Sequence, residues 1–199
     1  MADGYAKSPV ADQAAYEQKL AETQALMTPE MNVLEFGCGT GTTALHHAPH
    51  VKHVRATDIS ERMIEIAREK AQAAGIENVD FDVFDFDHLD VPDGAFDMVL
   101  GMSILHLVDD PQVAIAKAHR LLKPGGYFIT STACLGDTMG WFGFVGPIGH
   151  FFGLIPKVKI FRASELVDSI QAAGFEIETQ WQKDKSVARF VIAGKAGAV

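Results

Sequence analysis

Acidic side chains lie in or at the ends of two successive predicted strands, and glycines follow the first. Glu35 lies within the short apolar run 33–36, and the next predicted strand, 53–58, ends on Asp58. Three glycines in a G-x-G-x-G pattern follow the first strand: Gly37, Gly39 and Gly41. Glycine tolerates positive φ, and its missing side chain lets the backbone approach a ligand closely. A carboxylate one βα unit later offers two acceptor oxygens, which suits the two hydroxyls of a ribose. These residues therefore predict a nucleoside-binding site.

A strand, a glycine turn and a helix that begins near Thr42 must position these groups, and together they open a βαβ unit. The dinucleotide fingerprint is G-x-G-x-x-G, whose third glycine would stand at Thr42, whereas this chain has it at Gly41. The spacing disfavours a dinucleotide. A nicotinamide-dependent oxidoreductase would nevertheless share Asp58, and it stays an alternative.

The later part of the chain continues the alternation of strands and helices as far as residue 131. The further predicted elements are helix 12–26, helix 61–74 capped by Ser60 and ended by Gly75, edge strand 79–84, strand 96–101, a helix from Asp110-Pro111, strand 127–131, a helix capped by Ser164 and ended at Gly174, and the final strands 175–181 and 186–192. Such alternation predicts a parallel sheet with helices on its faces, closed here by one antiparallel pair.

Three motifs resemble a known family. VLEFGCGTG at 33–41 resembles the first motif of the class I S-adenosylmethionine (SAM)-dependent methyltransferases, FDMVLGMSILHLVDDP at 96–111 resembles the fourth, and LKPGG at 122–126 resembles the turn before their fifth strand. The chain is most similar to the small "type 11"-like domains of this class. The resemblance implies an α/β, Rossmann-like fold with a seven-stranded, mostly parallel sheet and an apolar insertion after strand 5. It also implies SAM as cofactor, with S-adenosylhomocysteine as the product.

The resemblance carries over a set of cofactor contacts, which are Glu35, Gly37, Cys38, Gly39, Gly41, Asp58, Ile59, Met63, Asp85, Phe86, Gly101 and Tyr5. In the family, the acid of the first strand lies near the amino group of SAM, and the acid after the third strand accepts from the adenine amino group. Asp85 matches that last position and Phe86 would contact the ring. Asp87 and Asp82 are the alternatives to Asp85, because this stretch holds several acids.

Two segments flank the motif region. Residues 1–31 contain a helical stretch that either covers the cofactor, with Tyr5 and Tyr16 against it, or packs on the surface. Residues 132–160 interrupt the βα alternation, and 141–155 are strongly apolar but too short for a membrane helix. This insertion is expected to be a lid over the substrate, a peripheral membrane contact aided by Lys157, Lys159 and Arg162, or a dimer contact.

Two histidines are candidates for a general base. His106 follows the fourth strand at the carboxyl edge of the sheet, and His150 lies in the insertion. The alternative for His106 is packing against the adenosine or capping a helix. A base is needed only when the acceptor must lose a proton. Four further histidines lack a carboxylate or cysteine partner in metal-ligand spacing, so no metal site is predicted and they are expected to lie on the surface: His46, His47, His50 and His53.

Composition narrows the class of partner. The 199 residues predict one domain, 1–199, and the net charge of -9 argues against a nucleic acid as partner. Cys38 and Cys134 are far apart, and no signal peptide precedes the first strand, so a cytoplasmic protein is expected. No Asn-Pro-Pro-Tyr motif follows the fourth strand. We therefore expect a monomeric or homodimeric methyltransferase for a small, largely apolar acceptor: a thiol, a phenol or quinone, or a lipid precursor. A SAM-binding protein without activity is the remaining alternative.

Overall fold

The computed structural model describes residues 12–134, 162–184 and 188–197. The tyrosine at position 5, the histidine at position 150 and the apolar stretch 141–155 lie outside them. The helices and strands are α1 (Gln13–Gln24), β1 (Asn32–Phe36), α2 (Thr42–His47), β2 (His53–Asp58), α3 (Glu61–Ala74), β3 (Val79–Val83), β4 (Phe96–Met102), α4 (Pro111–Leu121), β5 (Leu122–Thr132), α5 (Ala163–Ala172), β6 (Phe175–Trp181) and β7 (Arg189–Lys195), with single 3-10 turns at Ala48–His50 and Phe86–His88.

The strands form one seven-stranded sheet in the order β3-β2-β1-β4-β5-β7-β6. The first five strands of the chain run parallel, and β7 is antiparallel to both β5 and β6. This is the predicted mostly parallel sheet, with β3 at its edge. The chain order reverses between β1 and β4, and a ligand site in such a sheet lies at the carboxyl ends of the strands beside that reversal.

Helices cover both faces of the sheet because successive strand residues point to opposite sides. Val33 and Leu34 are adjacent in β1 and fully buried, yet they belong to two different cores. Val33 packs in the core that contains Ile64 of α3. Leu34 packs in the core that contains Ile115 of α4 and Ile170 of α5. The predicted helices on both faces are therefore confirmed.

Local signals placed several boundaries correctly. The strands β2 and β6 and the helix α3 have the predicted bounds. The Ser60 side chain accepts a hydrogen bond from the Met63 backbone at the start of α3, and Gly75 ends the helix at φ 65. On α3, Ile64 is fully buried, whereas Met63 is only half-buried and faces the cavity described below.

The fifth strand is longer than predicted. It begins at Leu122, which pairs with Phe96, and the pairing resumes at Tyr127 opposite Met98. The LKPGG motif therefore forms a bulge within the strand ladder, with Gly125 at φ 78, and is not a separate turn before it.

Two predictions near the C-terminal end are wrong. The helix α5 begins at Ala163 after Arg162, not after Ser164, because the Glu165 carboxylate accepts a hydrogen bond from the Arg162 backbone N–H at 2.9 Å. The last strand, Arg189–Lys195, extends three residues beyond the predicted end at 192, because its pairing with β6 continues to Lys195 opposite Phe175.

Candidate functional site

A cavity of about 1000 Å³ opens at the carboxyl ends of β1, β2 and β4. It lies at the predicted edge of the sheet, beside the reversal of strand order. Most of the predicted cofactor residues line it: Glu35, Gly37, Cys38, Gly39, Asp58, Ile59, Met63, Asp85 and Phe86. The structure thus brings predicted cofactor residues from several strand ends and turns together in the lining of one cavity.

Two predicted glycines serve packing and do not line the cavity. A Cβ on Gly41 would lie 2.6 Å from the ring of Phe81, and one on Gly101 would lie 2.7 Å from the ring of Phe36. A side chain at either position would displace an aromatic ring of the core. Gly37 does line the cavity, but at φ 64 its Cβ would also meet Ile104 at 2.3 Å.

The Asp58 carboxylate holds the two turns on either side of it. Its Oδ2 accepts a hydrogen bond from the backbone N–H of Gly39 at 2.9 Å, and its Oδ1 accepts one from that of Ser60 at 2.9 Å. Each oxygen keeps a second lone pair for a ligand. The side chain is partly exposed to the cavity, as a ribose-binding acid must be.

Glu35 is buried at the floor of the cavity with 2% of its surface exposed. Its Oε2 has no hydrogen-bond partner among the described residues. Burial, and to a lesser extent the charge of Asp58, raises the pKa of Glu35 to about 8. A buried acceptor without a donor is costly, so this oxygen fits a ligand that brings an N–H group.

The acids near the third strand divide into two groups. Asp85 and Asp87 line the cavity, whereas Asp82 points away and pairs with Arg55 at 3.0 Å. The position of Asp82 therefore disfavours it as an adenine contact. Asp85 begins a 3-10 turn, where its side chain accepts from the Asp87 backbone at 3.0 Å. Phe86 is buried and stacks on a core ring, with 4.1 Å between ring centroids.

The helix α1 covers one end of the cavity with Tyr16 and Lys19. It is attached to the sheet at several points, one of which is a hydrogen bond of 2.9 Å from the Trp181 indole to Glu22. From the sequence, Tyr16 covers the cofactor in only one of the two alternatives for this helix, and Lys19 is not singled out. The spacing of three residues, which puts both side chains on one face of a helix, is the signal that would have identified it.

The structure places His106 outside the cavity lining, between Leu105, which is fully buried, and Leu107, which does line the cavity. Burial lowers the pKa of His106. Its role as a base stays a prediction.

The histidines after the glycine turn differ from one another. His47 is buried, which lowers its pKa to about 3, while His53 contacts Asp80 at 3.1 Å. His47 is thus not the surface residue that was expected, because it faces the core from the last turn of α2. Within the described ranges, no group of three or more potential metal ligands occurs. The helices in those ranges include none long and apolar enough to cross a membrane.

Comparison with known proteins identifies methyltransferases. A family model for a methyltransferase domain matches residues 33–126. The chain is 31% identical over 177 residues to the demethylmenaquinone methyltransferase of Listeria welshimeri, covering 77% of this chain and 75% of that protein. It is 30% identical over 151 residues to the ubiquinone biosynthesis O-methyltransferase of Coxiella burnetii, covering 73% of this chain and 64% of the relative.

A third relative is similar to this chain in both sequence and structure. The uncharacterized methyltransferase YcgJ of Bacillus subtilis is 35% identical over 111 residues, covering 56% of this chain and 42% of its own length. The crystal structure of YcgJ superposes with a TM-score of 0.75 at 20% identity, over 92% of this chain and 100% of that one. The chain thus matches less than two thirds of the length of the Bacillus and Coxiella relatives, while the fold likeness covers nearly all of it.

Proposed function

Because this chain belongs to the class I SAM-dependent methyltransferases, we propose that its acceptor is a small, largely apolar phenol or hydroquinone. Family membership removes the nicotinamide-dependent oxidoreductase as an alternative. The observation that carries the proposal is the extension of the cavity beyond the predicted cofactor contacts. Apolar side chains at the end of β4 and in the segment that follows it line that part: Met102, Ile104, Leu107 and Val108.

The residues of the other part fit the cofactor. The unpartnered Oε2 of Glu35 would accept from the amino group of SAM, above the turn at Gly37 and Gly39. Asp58 has free lone pairs for the ribose hydroxyls, and Asp85 would accept from the adenine amino group. When bound, SAM supplies an electrophilic methyl group on a sulfonium.

Space is sufficient for two molecules. Small-molecule sites measure roughly 300–1,000 Å³, and this cavity, at about 1000 Å³, is at the upper end. The carboxylates on one side suit the two positive charges of SAM, while the apolar side suits a ring that carries few polar groups. An apolar wall also excludes water from the reacting atoms.

The chain's own residues act in this reaction by binding and orientation. The acceptor atom would take the methyl carbon from SAM held by the glycine turn and Asp58, and the electron pair of the broken carbon–sulfur bond would stay on sulfur. A phenol loses its proton to a base or to water on the way. The glycine turn and Asp58 would fix the cofactor, and the walls at Met102 and Ile104 would hold the ring in line with the methyl group.

The names of two relatives support a ring acceptor over a thiol. One acts in ubiquinone biosynthesis as an O-methyltransferase and one on demethylmenaquinone. Both names refer to a ring system of the quinone type, which agrees with the apolar part of the cavity. A thiol or a lipid precursor has no comparable support.

A panel of acceptors tests the proposal. The purified chain is incubated with SAM and with catechols, naphthohydroquinones, alkyl thiols or unsaturated fatty acids, and S-adenosylhomocysteine release is measured. We expect turnover with at least one phenol or hydroquinone, and none with NAD in place of SAM. A variant that binds SAM weakly, Asp58→Ala, is the matched control for background release. Turnover with thiols alone, or tight SAM binding without any turnover, would contradict the proposal.

A further inference from the structure

The cavity contains one basic side chain among the described residues that line it, and this is Lys19 of α1. Five carboxylic acids share the same lining: Glu35, Asp58, Asp85, Asp87 and Asp109. These acids suit the positive charges of the cofactor. A lysine in the same cavity indicates that the cavity also binds a negatively charged group.

Lys19 is held in place without a carboxylate in direct contact. Its Nζ donates a hydrogen bond of 2.8 Å to Ser131 Oγ and lies 5.8 Å from the centre of the Trp181 ring. No described acid lies within ion-pair distance of this ammonium. Burial lowers the pKa of Lys19. The ammonium is therefore partly removed from water, and no described carboxylate in direct contact compensates for the lost hydration.

The position of Ser131 separates this ammonium from the cofactor residues. Ser131 is the next-to-last residue of β5, and β4 lies between β5 and β1. Neighbouring strands are about 4.8 Å apart, so Ser131 lies roughly 10 Å across the sheet from the strand that carries Glu35. The cofactor acids lie at or after the ends of β1, β2 and β3. The ammonium thus faces the half of the cavity next to Met102, where we place the acceptor.

We propose that Lys19, positioned by Ser131, binds an ionised oxygen of the acceptor, a carboxylate or a phenolate. This inference rests on the proposed function and narrows its substrate class to acidic aromatic molecules. A half-buried ammonium without an ion pair is costly, and an anion bound against it offsets that cost. An anion gains from the same contact, because a nearby positive charge favours the ionised form of an oxygen acid.

One other anion competes for this residue: the carboxylate of SAM itself. The two assignments predict different results. If Lys19 binds the acceptor, its removal leaves SAM affinity nearly unchanged. If Lys19 binds the cofactor carboxylate, its removal weakens SAM binding and leaves aromatic anions unaffected.

The test uses benzoate as the anionic probe and benzamide as its neutral counterpart of similar shape. Calorimetry measures binding of each to the full chain saturated with S-adenosylhomocysteine. We expect the wild-type chain to prefer benzoate at least fivefold, Lys19→Met to lose that preference, and Lys19→Arg to keep most of it. Ser131→Ala should reduce the preference by a smaller factor. The exposed Lys52, outside the cavity, supplies the control Lys52→Met, which should behave as wild type.

The result that overturns the proposal is a wild-type chain without preference for benzoate, or a Lys19→Met variant that keeps it. SAM affinity is measured separately. A tenfold loss of SAM affinity in Lys19→Met would assign Lys19 to the cofactor and would also overturn the proposal. Thermal melting checks that each variant folds. If Lys19→Met does not fold, the other two variants test the proposal: Ser131→Ala should reduce the preference for benzoate, and Lys19→Arg should keep most of it. Absence of any phenol turnover in the acceptor panel would contradict the proposed function, but it leaves this binding measurement intact.

Discussion

The backbone N–H of Gly39 donates a hydrogen bond to the Asp58 carboxylate at 2.9 Å, so the first βα turn is fastened to the second. The same carboxylate holds the start of α3 through the backbone N–H of Ser60. Asp58 therefore fixes the shape of the turn, and under the proposed function it would also accept hydrogen bonds from the cofactor. A single substitution at this position is expected to disturb both.

Asp58→Ala should lower SAM affinity at least tenfold. Hydrogen bonds to a charged group contribute about 1.5–3 kcal/mol each, and the variant also loses the acceptor that orders the Gly39 turn. Calorimetric titration with S-adenosylhomocysteine measures the loss. Asp58→Asn keeps one side-chain oxygen and should bind with intermediate affinity. Unchanged affinity in the alanine variant would show that the ribose lies elsewhere.

Glu35→Gln should stabilise the cofactor-free protein at alkaline pH. The pKa of Glu35 is raised to about 8 by burial, so the folded chain favours the protonated acid. The stability that this provides is present below about pH 4.5 and is lost as the pH rises through 8, on the order of a few kcal/mol. Glutamine is neutral throughout, so the variant should keep its urea midpoint between pH 6 and pH 9 while the wild type loses stability.

The exposed acid Glu61 provides the control for this experiment. Glu61→Gln should show the same pH dependence as the wild type, since its carboxylate stays in water. If the urea midpoint changes equally with pH in Glu35→Gln and in the wild type, Glu35 is ionised in the folded chain at pH 6. The same glutamine variant should bind SAM more weakly, because it cannot form an ion pair with the cofactor's ammonium group.

Elements with local signals could be predicted from sequence. The helix α3 has a serine cap and a C-terminal glycine within its own segment, and β2 ends in the acid of the site, so both have the predicted bounds. Among the boundaries that were wrong, the start of α5 depends on a local contact between Glu165 and Arg162. The end of β7 depends instead on its pairing with β5 and β6, which continues through Gly194 to Lys195.

The site shows the same division. Glu35, Asp58 and Asp85 could be placed because each lies in or after a strand of a recognisable motif. The packing roles of Gly41 and Gly101 could not, since they depend on aromatic rings from other strands. The spacing from Tyr16 could have placed Lys19 at the cavity, but its contact with Ser131, 112 positions away, could not be predicted from the sequence near it.

Lys70→Met should weaken SAM binding a few fold through the glycine turn. The Lys70 ammonium of α3 donates to the hydroxyls of Thr40 and Thr42 at 2.9 Å each, and both threonines line the cavity on either side of Gly41. Each such hydrogen bond contributes about 0.5–1.5 kcal/mol. Titration with S-adenosylhomocysteine measures the change, with Lys52→Met as control. Affinity equal to that of the wild type would show that the turn keeps its shape without this lysine.

His47 should make the protein sensitive to acid. Burial lowers its pKa to about 3, so the folded chain holds the neutral ring while the unfolded chain binds a proton below about pH 6.5. The stability linked to this residue is present above pH 6.5 and is lost as the pH falls toward 3. His47→Leu removes the titrating group, and its urea midpoint should fall less between pH 7 and pH 4.5 than that of the wild type. Lys52→Met, at an exposed site, should fall as the wild type does. An equal drop in all three proteins would mean that the ring of His47 accepts its proton without unfolding the chain.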